Sequence, residues 1–130
     1  MTAHAASARQ LAFAETLPPT YTSADVERLR MRLDKLNIGD TAVADIYRLE
    51  RITDEDGSEW WILLRRGWYH RGRWQGGQIV ERVEIRTPRQ LAGVQAHFAL
   101  ALCMRGSVTC GIWRDAAGLD GVAAGLLRAA

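Results

Sequence analysis

Lysine is almost missing from this chain: Lys35 stands alone beside 16 arginines. Cysteine and proline are scarce too, at two and three residues. No run approaches the ~18 consecutive apolar residues that span a bilayer. The N-terminus, MTAHAASARQLAFAETLPPTY, lacks the charged start and continuous apolar core of a secretory leader. Two cysteines without a leader point to a reducing compartment, so the expectation is a cytoplasmic protein that needs no Cys103–Cys110 disulfide and contacts no membrane.

Motifs for chemistry are missing as well. His4, His70 and His97 are isolated, and no pair has metal-ligand spacing. Asp54-Glu55-Asp56 lacks the spacing and closing Glu of a calcium loop. The glycines at 67, 72, 76 and 77 follow neither the Walker nor the dinucleotide pattern. No metal and no cofactor are therefore expected. No nucleophile–base pair is visible; an enzymatic reading would need Glu81 or Glu84 buried beside His70. The carboxylates of Asp45, Glu50, Glu81 and Glu84 are explained by cross-strand pairing with Arg48, Arg51 and Arg82.

What is present fits one ordinary domain. The 130 residues, 48% apolar and 25% charged, suffice for one core. The net charge of +2 hides an asymmetry: the chain carries −4 through Leu64 and +6 from Arg65 onward. Arginine offers a planar fork for phosphate or carboxylate and stacks on rings. A GC-rich genome would produce the same bias.

Residues 1–20 read as an Ala-rich arm ended by Pro18-Pro19. Thr22 and Asp25 have capping-box spacing, and Val26, Leu29, Leu33 and Leu36 fall on one helical face, with Asn37-Ile38-Gly39 as the stop. Val43 to Thr53 reads as one strand, Asp54 to Ser58 as a turn with Gly57 at positive φ, and Glu59 to Arg66 as the return strand. That strand is apolar on both faces, Trp61 and Leu63 on one and Trp60, Ile62 and Leu64 on the other, which places it centrally. Gly67 to Gly77 reads as a loop or second bend. Gln78 to Arg86 is the next strand, with Ile79, Val83 and Ile85 inward. Thr87-Pro88 starts a long apolar helix that runs to about Met104 and stops at Gly106. Ser107 to Trp113 reads as a last strand, and 115–130 as a weakly structured tail or a short helix through Leu126 and Leu127. The expected fold is α+β, over residues 21–114: an antiparallel meander of three to four strands, with an N-terminal helix and a long apolar helix packed on one face.

One stretch stands apart. Glu59 to Trp74, EWWILLRRGWYHRGRW, holds four of the five tryptophans and four arginines. Trp60 and Trp61 serve the core on this reading. Arg65, Arg66, Trp68, Tyr69, His70, Arg71, Arg73 and Trp74 form the candidate ligand surface, because rings stack on bases while cations follow the phosphate backbone. Packed tryptophans with arginines stacked over them would explain the same residues without a ligand.

Ile46-Tyr47-Arg48-Leu49-Glu50, then Asp56-Gly57, a Trp-rich strand, a Gly/Arg loop, a strand and a helix resemble the element order of WGR domains over about Asp45 to Gly106. That resemblance implies DNA binding beside other modules. The signature Trp-Gly-Arg is absent; Arg66-Gly67-Trp68 is the nearest text. The expected function is that of a small non-enzymatic binding protein contacting nucleic acid or another anionic surface, such as an acidic protein, through the Arg/Trp/Gly loop. The alternative is a protein–protein module, an inhibitor or accessory factor of a bacterial mobile element or secretion system, using the same face. A homodimer through that face is a variant of it.

Overall fold

The computed structural model describes residues 20–75 and 77–114, the side chains of Trp68, Trp74 and Gln75 excepted. The arm as far as residue 19 and the tail 115–130, expected as weakly structured or as a short helix through Leu126 and Leu127, lie outside these residues.

Helix α1 covers Ser23–Leu33. Thr22 is extended, its Oγ1 accepts from the Asp25 amide at 3.1 Å, and Asp25 Oδ2 accepts from the Thr22 amide at 2.8 Å. This capping box satisfies two of the amides a helix start leaves open. The bond from the Thr22 amide holds the Asp25 carboxyl below its ordinary pKa. The helix closes on Asp34, before the expected Asn37-Ile38-Gly39 stop. Two tight-turn bonds follow, Lys35 to the Arg32 carbonyl and Leu36 to the Leu33 carbonyl, and they carry Leu36 into the core.

The strands are β1 (Thr41–Ala44), β2 (Tyr47–Thr53), β3 (Glu59–Arg65), β4 (Trp68–His70), β5 (Arg73–Gln75), β6 (Gln78–Ile85) and β7 (Gly111–Trp113), with helix α2 (Gln90–Met104) between the last two. Five of them form an antiparallel sheet in the order β6-β3-β2-β1-β7; β4 and β5 form a separate ribbon. The sheet thus has five strands, where the pattern predicts three to four. The stretch Val43 to Thr53 breaks at Asp45-Ile46, a two-residue turn in which Asp45, not a glycine, takes φ +57°. Asp tolerates this conformation better than most residues. The last strand is shorter than Ser107–Trp113 and closes the far edge by pairing with β1. The architecture is therefore a meander, β1-β2-β3-β6, with α2 carrying the chain back across to β7.

Strand β3 lies between β2 and β6, and its two faces feed two apolar clusters. Trp61 and Leu63 join Leu49, Ala42 and Ala44 against Leu29, Leu33, Phe98 and Leu102 of the helices. The Trp61 and Phe98 rings stack at 6.2 Å and 12°. On the other face Ile62 and Leu64 are buried with Ile52, Trp60 and Ile79. The inward parity expected for β6 slips at a bulge opposite Leu63/Leu64: Glu81 pairs with Leu63, but Ile79 pairs with Leu64. Ile79 therefore shares the second face, while Glu81, Val83 and Ile85 share that of Trp61. A bulge adds one residue to one strand and reverses alternation beyond it.

Helix α2 begins at Gln90 with Arg89 as its cap, two residues later than Thr87-Pro88 implies. Thr87 to Arg89 form a turn, and Gln90 Oε1 accepts from the Arg86 and Thr87 amides at 2.6 and 3.0 Å. At its end the Ser107 amide reaches the Leu102 carbonyl and the Gly106 amide the Cys103 carbonyl, both at 2.9 Å, with Gly106 at φ +86°. This is the Schellman closure. Cys103 and Cys110 are free thiols, both pushed above the usual thiol pKa by burial. No helix of the described residues is long and apolar enough to cross a membrane.

A polar chain locks the layers together. Glu59 Oε2 accepts from Trp61 Nε1 at 3.0 Å and from Arg51 Nε at 2.7 Å. Arg51 Nη1 donates to the Leu36 carbonyl at 2.6 Å, and its guanidinium lies 5.7 Å from the Trp61 ring centroid. Both charged side chains are more than four-fifths buried. Replacing Arg51 by Met strands the Glu59 carboxylate and should cost about 2–3 kcal/mol in urea unfolding, with Glu59→Gln in the same chain recovering part of it. A loss below about 0.5 kcal/mol, the usual range for a solvated surface change, would show that this pair is ornamental.

Candidate functional site

The segment Arg65 to Gln78, expected as a loop, is a projecting β finger. Arg65 pairs with Gln78 at the end of the main sheet. Trp68 pairs with Gln75, Tyr69 with Trp74 and His70 with Arg73. The ribbon thus keeps the register of β3 and β6 and extends them past their last common residues. At its base the Arg66 amide donates to the Ile46 carbonyl in the β1–β2 turn at 2.8 Å. Gly67 and Gly77 stand between the sheet and the ribbon.

The tip is a two-residue turn, Arg71-Gly72, with φ +51° and +76°. Positive φ at both central positions is the type I′ arrangement, whose twist matches that of the flanking strands. Asn-Gly or Gly-Gly normally fills it. Here an arginine holds the first position, where a Cβ crowds the following carbonyl at a cost of roughly 1–2 kcal/mol. Gly72 has open space where a Cβ would stand, so its role is conformational only.

Of the eight residues read from the sequence, Arg65 and Arg66 sit at the base, Trp68, Tyr69 and His70 on β4, Arg71 at the tip, and Arg73 and Trp74 on β5. One structure gathers them all. Tyr69 is 73% exposed, and Arg65, Arg66, His70, Arg71 and Arg73 are also exposed. Elsewhere among the described residues five arginines are engaged in ion pairs, Arg28 with Asp25, Arg30 with Glu27, Arg51 with Glu59, Arg86 with Glu84 and Arg114 with Asp40, while Arg82 and Arg89 are not. Among the described residues Arg66, Arg71 and Arg73 make no ion pair. Three cations on one ribbon therefore remain available to an external anion.

Glu81, Glu84 and Arg51 pair otherwise than the sequence implies. Glu81 bonds His97 of α2, Glu84 pairs with Arg86 at 3.0 Å, and Arg51 takes Glu59. Glu50 is buried, 3% exposed, in the second sheet face opposite Ile62 and Thr41. Neither Glu81 nor Glu84 is joined to His70, which stands on the exposed finger. The acidic run is a tight turn, with Asp54 Oδ1 accepting from the Asp56 and Ser58 amides and Oδ2 from Trp60 Nε1. Bonds from the Asp54 side chain and from Ser58 lower the Asp56 carboxyl to about 2. No group of three or more potential metal ligands occurs among the described residues.

Open clefts lie away from the finger. One of about 290 Å³ is lined by Arg51, Glu59, Ile85, Arg86, Thr87 and Leu91; a second, of about 350 Å³, lies along the basic side of α1 around Met31, and a third, of about 240 Å³, is lined by Leu29, Arg32, Val108 and Cys110. The first is walled by a satisfied ion pair, and the second by helix side chains that are paired in part.

No protein-family model matches the chain, and no match is found among curated proteins or solved structures. The likeness to WGR domains thus stays one of element order.

Replacing Arg71 by Asn gives the preferred Asn-Gly turn and should raise hydrogen-exchange protection of the finger amides. Gly72→Ala should lower it by about 1 kcal/mol in opening free energy. Lower protection in the Asn variant would mean that the Arg71 side chain, not the turn, orders the tip.

Proposed function

We propose that the finger is a binding element for a polyanion, with nucleic acid as the first ligand to test, and that the protein acts by binding and carries out no reaction. The observation that carries this reading is Arg71 at the tip. A strained residue type persists where its surroundings or its use demand it, and such residues concentrate at functional sites. A glycine or asparagine would form the turn at lower cost, yet the position holds an arginine that makes no ion pair among the described residues. Beside it, exposed Tyr69 offers a face for stacking, worth ~1–3 kcal/mol per base, and Arg66 and Arg73 can follow a phosphate backbone.

The second reading, a protein partner anchored on the same residues, is favoured by Tyr69, since Tyr and Arg are typical interface anchors. Salt separates the two. Phosphate contacts release counterions, so affinity for a single strand falls with a log–log slope of about −0.7 per contact. An aromatic-anchored protein interface is nearly insensitive to salt.

Fluorescence titration with short single- and double-stranded oligonucleotides at two salt concentrations tests the proposal. Binding should weaken steeply with salt, and Arg71→Ala with Arg73→Ala should reduce the slope by about 1.4, the share of two contacts. Absence of binding at low salt, or binding unchanged in the double variant, would remove nucleic acid as the ligand.

A further inference from the structure

Strand β6 is the edge of the main sheet, and it is eight residues long. Among the described residues no strand and no backbone bond covers its outer side. An uncovered edge of this length offers a row of open amides and carbonyls to any extended segment. Its sequence, Gln78-Ile-Val-Glu-Arg-Val-Glu-Ile85, carries alternating charges that work against indiscriminate pairing, and Val80 adds exposed apolar surface at the bulge.

The order of these charges selects one partner. When two copies of an edge strand meet antiparallel about a two-fold axis normal to the sheet, one residue lies opposite itself, and its neighbours at equal offsets oppose one another. Centring on Glu81, Arg82 or Glu84 sets like charges directly against each other, which is destabilising. Centring on Val80 falls on the bulge, where the ladder is disrupted. Centring on Val83 opposes valine to valine, and it sets Arg82 opposite Glu84 of the second copy and Glu84 opposite its Arg82. Both members of that pair are in position to exchange. Among the described residues Arg82 makes no ion pair, and the present partner of Glu84, Arg86, is 79% exposed on its side chain.

We infer that the β6 edge is a self-association surface, on which a second copy of this chain pairs antiparallel about Val83 to make one ten-stranded sheet. Five paired residues per copy bury little area, so the dimer is weak and concentration-dependent. Gly77 lies six residues from the axis, about 20 Å at the strand rise, so the two finger bases stand about 40 Å apart at opposite ends of the shared sheet. The inference does not rest on what the fingers bind.

Sedimentation of the full chain without oligonucleotide tests it. A monomer–dimer equilibrium should appear as concentration rises towards about 1 mM, the range of a weak edge contact. Arg82→Glu alone, and Glu84→Arg alone, each set like charges opposite one another twice per dimer and should loosen it at least about tenfold. The double exchange, Arg82→Glu with Glu84→Arg, should restore it. Circular dichroism of each variant separates loss of pairing from loss of fold; if the single variants unfold, restoration by the double exchange still decides. A monomer at every concentration, or a dimer indifferent to the single exchanges, overturns the inference.

Discussion

The Trp61 indole must be both buried and hydrogen-bonded, and much of the fold follows from meeting both demands at once. Its ring has no solvent contact and stacks on Phe98, so α2 has to lie across β3. Its N–H needs an acceptor in a place without water, and Glu59, two residues back on the same face, provides one. A carboxylate so placed needs a cation, and Arg51 on the neighbouring strand supplies it. The same guanidinium then satisfies the Leu36 carbonyl beyond the end of α1. Three other segments, α2, β2 and the turn after α1, are thereby tied to one indole. Removing any link leaves a buried polar group unmet, which costs more than the bond itself contributes.

That anchorage explains why a finger can project at all. β3 is held on both faces and on both edges, so its continuation past Arg65 starts from a fixed direction. The ribbon adds its own ladder, a turn of the right hand and a bond to the β1–β2 turn. The result is a projection on which Arg66, Arg71 and Arg73 are exposed and, among the described residues, make no ion pair. Preorganisation of this kind lowers the entropy lost on ordering a ligand site.

Much of this was legible in the residues. Alternation across Trp60 to Leu64 separates the two faces of β3, and the Thr22/Asp25 spacing marks the start of α1. What escaped the pattern has physical reasons. The β1–β2 turn uses Asp45 at positive φ in place of a glycine, so the stretch Val43 to Thr53 has no visible break. The bulge at Val80 reverses the parity of β6, and periodicity cannot anticipate an inserted residue. β7 pairs with β1, some 70 positions away, and no local signal carries that information. The finger hid behind its composition: four glycines read as a loop, although Gly72 alone is needed for the turn and the chain on either side of it forms a ladder. The eight candidate residues were named from their chemistry, while their placement on one finger came only with the fold.

The central claim is that the finger, and not the clefts or the helices, is the contact surface. Chemical-shift mapping of the amide-labelled protein with a short single-stranded oligonucleotide tests this most directly. The account predicts perturbations concentrated between Arg65 and Gln75, centred on Tyr69 and Arg71, with the amides of α1 and of the Arg51–Glu59 cleft unmoved. Shifts centred on the basic side of α1, or none at all, would contradict it.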